Sequence, residues 1–116
     1  MPEPQMAEAE ERLGSPLIEL WGMTELGGLC TTFTAYGPYK HVSIGIELPY
    51  VECGIADVDE ASTTVQTNEV GELMVRGPVV MQGYFGNEEM TRETIEPDGW
   101  LHTGDLARMD ADGCIF

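Results

Sequence analysis

Two short stretches of the 116-residue chain set a hydroxyl, a glycine and a carboxylate side by side: WGMTE at 21–25 and LHTGD at 101–105. A threonine near a glycine can turn its hydroxyl and its amide toward one phosphate oxygen, and the missing side chain lets the phosphate approach. Glu25 could hold Mg²⁺, a hard cation that takes oxygen ligands and usually bridges to phosphate. Trp21 could cover a purine ring, and Asp105, just after a glycine turn, could accept two hydrogen bonds from a ribose diol. The same residue types also build ordinary turns, so spacing alone leaves a nucleotide site and a plain corner both open.

The remaining reactive residues point elsewhere. His102 precedes Thr103 and could be imagined as a base, but a turn or partly buried histidine is the simpler reading. His41, in YGPYKHVS, is expected to be merely exposed. DADG at 110–113 lacks the oxygen-ligand pattern and closing glutamate of a calcium loop, so it reads as a hairpin turn. No Gly-x-Ser-x-Gly occurs, which leaves hydrolase chemistry without a nucleophile. Cys30, Cys53 and Cys114 are odd in number and widely spaced, and suggest neither a disulfide framework nor a metal site. The seven methionines read as core filler, although Met23 sits within the first motif.

These residues must be held by the elements around them. Residues 4–13 predict a helix, with Pro4 in its first turn, Met6, Ala9 and Leu13 on one face, and Gly14 as its stop. Residues 17–20 predict a short strand, buried because Leu17, Ile18 and Leu20 put apolar groups on both faces. From about residue 29, strand candidates alternate with turn signals, which predicts antiparallel β-structure. VECGIAD alternates Val51, Cys53 and Ile55 against Glu52, Gly54 and Ala56, while residues 61–71 read as a loop or weak hairpin around Val65. GELMVRG predicts a strand ended by Gly77–Pro78, and VVMQGYF a further strand with Gly83 as a bulge. Asn87 is placed to cap a short helix whose first turn carries Glu88 and Glu89. PDG at 97–99 is a turn, and LARMDADGCIF predicts two strands joined by 110–113.

Composition narrows the classes. Twenty-one carboxylates face five cations, for a net charge of −16, and Lys40 is the sole lysine. Such a chain cannot neutralise phosphates along a nucleic acid, and anionic membrane surfaces are equally unsuited to it. The acidic excess reads as a solvated surface that keeps the protein dispersed. There is no apolar run of membrane-spanning length and no secretory leader in MPEPQMAEAEERLG, so a reduced, cytoplasmic setting is expected.

Taken together and in order, WGMTE, GIELPYVECGIAD, GELMVRGPVVMQGYF and DGWLHTGDLARMDADGCIF resemble the adenylate-forming (AMP-binding) enzymes: acyl-CoA synthetases, peptide-synthetase adenylation domains and luciferases. The likeness runs over nearly the whole chain, and the tryptophan heading the first motif looks most like a fatty acyl-CoA synthetase. It implies a fold that is mainly β (α+β): a short N-terminal helix–strand unit followed by an antiparallel, distorted β-barrel-like subdomain, an incomplete piece of the adenylate-forming fold. Residues 1–28 would end the α/β subdomain, and 29–116 would form the barrel-like part, stopping just before a hinge to a C-terminal domain. The resemblance implies that Trp21 stacks on adenine, with Gly22 and Met23 lining the pocket. Thr24 would bind the α-phosphate and the acyl carboxylate, Glu25 would ligate Mg²⁺, and Asp105 would hold the ribose.

The implied cofactors are ATP/AMP, Mg²⁺ and coenzyme A. The implied reaction activates a carboxylic, fatty acid as its adenylate and passes it to coenzyme A. The family's phosphate loop with its lysine, its later ribose-binding arginine and its C-terminal catalytic lysine have no counterpart here, so the fragment alone is expected to be inactive. Apart from Arg108, no cation lies near either motif in the sequence. With strands missing, unpaired edges are expected to favour a dimer. A standalone β-rich binding module, or a piece of a luciferase-like or peptide-synthetase enzyme, are the alternatives. The joint presence of Thr24, Glu25 and Asp105 favours chemistry, since a scaffold has no need of all three.

Overall fold

The computed structural model describes residues 1–34, 36–37, 39–59 and 64–116. Helix α1 (Glu3–Leu13) opens the chain, with Pro4 in its first turn. Gly14 stops it in the left-handed region at φ 64°, its N–H donating to the Glu10 carbonyl at 2.8 Å. The face expected to pack does so through Met6, which is buried, whereas Leu13 stays exposed.

Two three-stranded antiparallel sheets follow. The first pairs β1 (Leu20–Trp21) with β2 (Thr31–Thr32), and β2 with β3 (Ile46–Glu47). The second is built around β5 (Val70–Arg76), flanked by β4 (Glu52–Ala56) and β6 (Leu101–Arg108). Helix α2 (Glu88–Thr94) lies between β5 and β6 in sequence. Among the described residues the sheets do not close into a barrel, and the architecture is the mainly antiparallel, partly helical one expected. No described helix is long and apolar enough to cross a membrane.

The core gathers where the second sheet meets the loop after β1 and the C-terminal hairpin. Leu73 and Val75 on β5, Leu101 and Ala107 on β6, Leu26 and Ile115 form one buried cluster. Central strand β5 contributes buried residues from both of its faces, which is why GELMVRG carries Leu73, Met74 and Val75 in succession.

Several expectations are corrected. The strand expected at 17–20 is only Leu20–Trp21, and it lies at a sheet edge, so Ile18 and Leu20 are exposed rather than buried. Residues 79–85 form no strand. Val79 and Val80 pack against the core from a loop that meets the 21–25 loop through a single backbone bond, Met81 N–H to Glu25 carbonyl at 2.8 Å. Gly83 is accordingly a loop residue rather than a bulge in a ladder. The weak hairpin expected over 61–71 lies outside the described residues at 61–63; beyond them Thr64 bridges Ala56, and Val65 N–H reaches the Ile55 carbonyl. His41 is not merely exposed: its Nε2 lies 3.1 Å from the Glu10 carboxylate.

Other expectations hold. Asn87 caps α2, its side-chain oxygen accepting the Met90 N–H at 3.1 Å. The DADG turn closes a hairpin in which Arg108 and Phe116 exchange both backbone bonds. Asp110 and Asp112 of that turn clamp the Lys40 ammonium at 2.6 and 2.7 Å. The three cysteines are free thiols, although Cys30 and Cys53 bring their sulfurs to 4.0 Å across the two sheets.

Candidate functional site

The first motif is a loop with a closed neck. Trp21 accepts the Cys30 N–H at 2.9 Å, and the Trp21↔Thr31 pairing starts the sheet directly beyond. At this neck an added methyl on Gly22 would fall 1.5 Å from the Gly28 carbonyl oxygen, so only glycine fits. Inside the neck, Met23 is extended and Thr24–Leu26 makes a 3-10 turn capped by Gly27. Leu26 plugs the turn into the core while Trp21 and Met23 pack partly against the same cluster. The outcome is an anchored loop that leaves Thr24 exposed and Glu25 half-buried.

Glu25 has a partner that sequence reasoning missed. The Tyr84 hydroxyl donates to Glu25 Oε1 at 2.9 Å. The Glu25 carboxylate holds that proton, burial adds to the effect, and Tyr84 is pushed above the ordinary tyrosine range. Tyr84 is presented by a loop tied to α2, since Thr91 Oγ1 accepts the Tyr84 N–H at 2.9 Å and donates to the Asn87 carbonyl at 2.8 Å. VVMQGYF reads as a strand, in which Tyr84 would be a core or surface position; nothing in its spacing points at Glu25.

The second motif is not a turn before a strand but a bulge within β6. Between the pairs Glu72↔Leu106 and Met74↔His102, β5 advances two residues while β6 advances four. The surplus holds Thr103–Asp105 out of register. Gly104 takes φ 75° there, and its N–H donates to Glu72 Oε1 at 2.9 Å. Thr103 Oγ1 donates to the Leu73 carbonyl at 2.7 Å and accepts the Asp105 N–H at 3.1 Å. Asp105 itself is exposed at the crest.

His102 lies half-buried at the base of this bulge, with Nδ1 2.9 Å from Glu72 Oε2 and Nε2 2.8 Å from Glu96 Oε1. Burial works against a charged ring, but the two carboxylates outweigh it and hold His102 above its ordinary value. It is therefore a clasp rather than a free base.

The two motifs share a foundation: Leu26 two residues after Thr24, and Leu101 and Ala107 flanking the bulge, belong to one core cluster. Each is fixed by its own hydrogen bonds: Asp105 is held by Thr103 Oγ1, with Thr103 and Gly104 in turn bonded to β5, and Glu25 is held by Tyr84. Lysine and arginine bring no unengaged charge to either motif. Arg12, Arg76 and Arg92 pair with Glu8, Glu52 and Glu88, and Lys40 with its two aspartates. Arg108, the one cation that sequence placed near a motif, lies over the Phe116 ring at 4.0 Å and donates to Asn68 at 3.3 Å. Among the described residues no three His, Cys, Asp or Glu side chains converge on a metal site. A cation at Glu25 would thus use one protein carboxylate, which suits Mg²⁺ bound jointly with phosphate and water and not a metal caged by protein.

The family model for the AMP-binding enzyme matches residues 1–85. The chain belongs to the AMP-binding enzyme family. It is 40% identical over 101 residues to 4-coumarate–CoA ligase-like 4 of Oryza sativa subsp. japonica, covering 86% of this chain. It is 43% identical over 102 residues to a long-chain-fatty-acid–CoA ligase of Salmonella typhimurium, covering 88%. Among solved structures, ATP-bound MatB from Rhodopseudomonas palustris superposes with a TM-score of 0.92 at 27% identity over 97% of this chain. The chain spans about a fifth of such proteins: 18% of either relative and 22% of the MatB chain. The adenylate-forming fold is therefore represented here in part, and the motif loop, the bulge and both sheets lie within that part.

Proposed function

We propose that this chain is the portion of an ATP-dependent acid–CoA ligase that grips the nucleotide. The observation that carries the reading is the joint anchoring of an exposed Thr24 beside Glu25 and an exposed Asp105 on one core. Trp21 stacks on adenine, and the backbone of Gly22 and Met23 lines the same pocket. Thr24 donates to the α-phosphate and meets the acyl carboxylate. Asp105 accepts from both ribose hydroxyls, a demand that its fixed, solvent-facing position meets. Glu25 Oε1 is taken up by Tyr84, which orients the carboxylate so that its other oxygen can hold Mg²⁺. The metal supplies charge neutralisation at the phosphates.

In the whole ligase the acid's carboxylate attacks the α-phosphorus and expels pyrophosphate. The coenzyme A sulfur then attacks the acyl carbon and releases AMP. The protein's share is positioning and electrostatics. The acid is assigned as a fatty acid on the tryptophan heading the motif and on the Salmonella relative. Residues 1–28 close the α/β subdomain and 29–116 form the barrel-like part, within a cytoplasmic enzyme. The chain by itself is inactive, because every lysine and arginine it has is engaged away from Thr24 and Asp105. It also pairs into a dimer through edges that leave Leu20 and Leu106 exposed.

The deciding experiment is AMP binding with and without Mg²⁺, followed by NMR of the amides of 21–25 and 103–105. Weak, saturable shifts at both motifs, lost at the bulge in Asp105→Ala, are expected. Tight ATP binding indifferent to Mg²⁺, or shifts confined to neither motif, would overturn the reading. Light scattering at high concentration tests the dimer, for which a monomer throughout is the adverse result.

A further inference from the structure

We propose that Glu72, fastened by His102 and Glu96, is the positioning residue that sets the β6 bulge from which Asp105 projects. The proposal rests on the reading of Asp105 as the ribose-binding carboxylate for its purpose, but not for its geometry. Glu72 sits on β5 at the point where the β5–β6 register slips. A ladder that gains residues on one strand leaves backbone groups without cross-strand partners, and those must be satisfied by something else. Here the Gly104 N–H is satisfied by Glu72 Oε1. The other Glu72 oxygen faces His102 Nδ1, and His102 Nε2 faces Glu96, on the segment after α2. One carboxylate therefore joins the crest of the bulge to its base, and the imidazole ties that carboxylate to a third segment.

The protonation state decides how firm this arrangement is. A neutral imidazole has one N–H, so only one of Glu72 and Glu96 could receive a hydrogen bond from it. The imidazolium donates to both. Glu72 and Glu96 are the charged groups facing the ring, one from β5 and one from the post-α2 segment. With His102 charged, Glu72 is held on one side and free to hold Gly104 with the other; when the ring loses its proton, Glu72 and Glu96 compete for the one remaining N–H, and Glu72 is held only in the tautomer that keeps it on Nδ1. The Gly104 amide and, through it, the crest at Asp105 then loosen as pH rises through the His102 midpoint. Thr103 adds a pH-independent hold through the Leu73 carbonyl, so the bulge slackens without coming apart.

The test is amide hydrogen exchange at Gly104 and Asp105, read by NMR on the full chain and corrected for the intrinsic rate. His102 is titrated in parallel through its ring protons. Wild type is expected to lose Gly104 protection with the same midpoint as the His102 titration. Glu72→Ala should lower Gly104 protection about tenfold at pH 6, the value of one charge-assisted hydrogen bond. Glu72→Gln keeps an acceptor for Gly104 but no charge for His102, so it should restore part of the protection while abolishing the pH step. Glu52→Gln, which removes a carboxylate engaged with Arg76 instead, should leave Gly104 unchanged. Wild-type protection in Glu72→Ala, or a surviving pH step in Glu72→Gln, would overturn the proposal. Added AMP separates the two readings: absence of any shift at Asp105 in wild type sinks the ribose assignment, while the exchange data alone decide the role of Glu72.

Discussion

A methyl group at residue 22 has nowhere to go. The neck of the WGMTE loop is closed by the Trp21–Cys30 hydrogen bond, and the Gly28 carbonyl stands where a side chain would begin. Gly22→Ala must reopen that neck, and we expect a loss on the order of 3 kcal/mol in urea-unfolding stability, as for other forced overpacking. Gly104 is the contrast, since its surroundings are empty within 4 Å and only its φ of 75° resists a side chain. Gly104→Ala should cost about 1 kcal/mol. Equal losses in the two variants would mean that the neck is softer than its geometry. The sequence makes both glycines look alike, as turn residues within two positions of a threonine. It reveals which residues are special but not which kind of space each occupies. Tyr84 was illegible for a related reason: a hydroxyl meets a carboxylate 59 positions away only once the loop between them has been placed.

At the scale of elements, α2 has no buried residue, so its seven residues depend on their cap and on Thr91. Asn87→Ala should cost about 1 kcal/mol. Because the same corner carries Tyr84, the phenol should also titrate nearer to its ordinary value, which ultraviolet absorbance would detect. An unchanged Tyr84 titration would separate the cap from the Glu25 contact. His102 makes a second element-scale prediction. Its folded value lies above the unfolded 6.5, so its stabilisation is complete below that value and is lost as pH rises through the folded one. Unfolding stability should fall over that window in wild type and run flat there in His102→Gln.

Elements with local signals were legible: α1 from Pro4 and Gly14, α2 from Asn87, β5 from its apolar run and Pro78, and the hairpin from its turn. What failed needed partners. An apolar run such as 79–85 announces burial, and burial can be met without a ladder. A glycine beside an aspartate announces a turn, and the structure uses it for a bulge inside a continuous strand.

For the whole molecule, a net charge of −16 lies on a fold in which four of the five cations already pair with carboxylates. The surplus repels itself, and salt should relieve it: raising NaCl from low to about 1 M shortens the screening length to about 3 Å. The thermal midpoint is expected to rise, and equally in KCl; a fall would mean that the ion pairs outweigh the repulsion. Lys40 ties residue 40 to a hairpin some seventy positions later, and the ordinary lysine affinity for its proton is strengthened by Asp110 first and Asp112 second. An ammonium so held has no lone pair to offer an electrophile. With no other lysine in the chain, an amine-directed acylating dye at pH 8 should leave the Lys40 peptide unlabelled in mass spectrometry while the chain is folded and label it once the chain is unfolded; equal labelling in both states would mean that the clamp is loose.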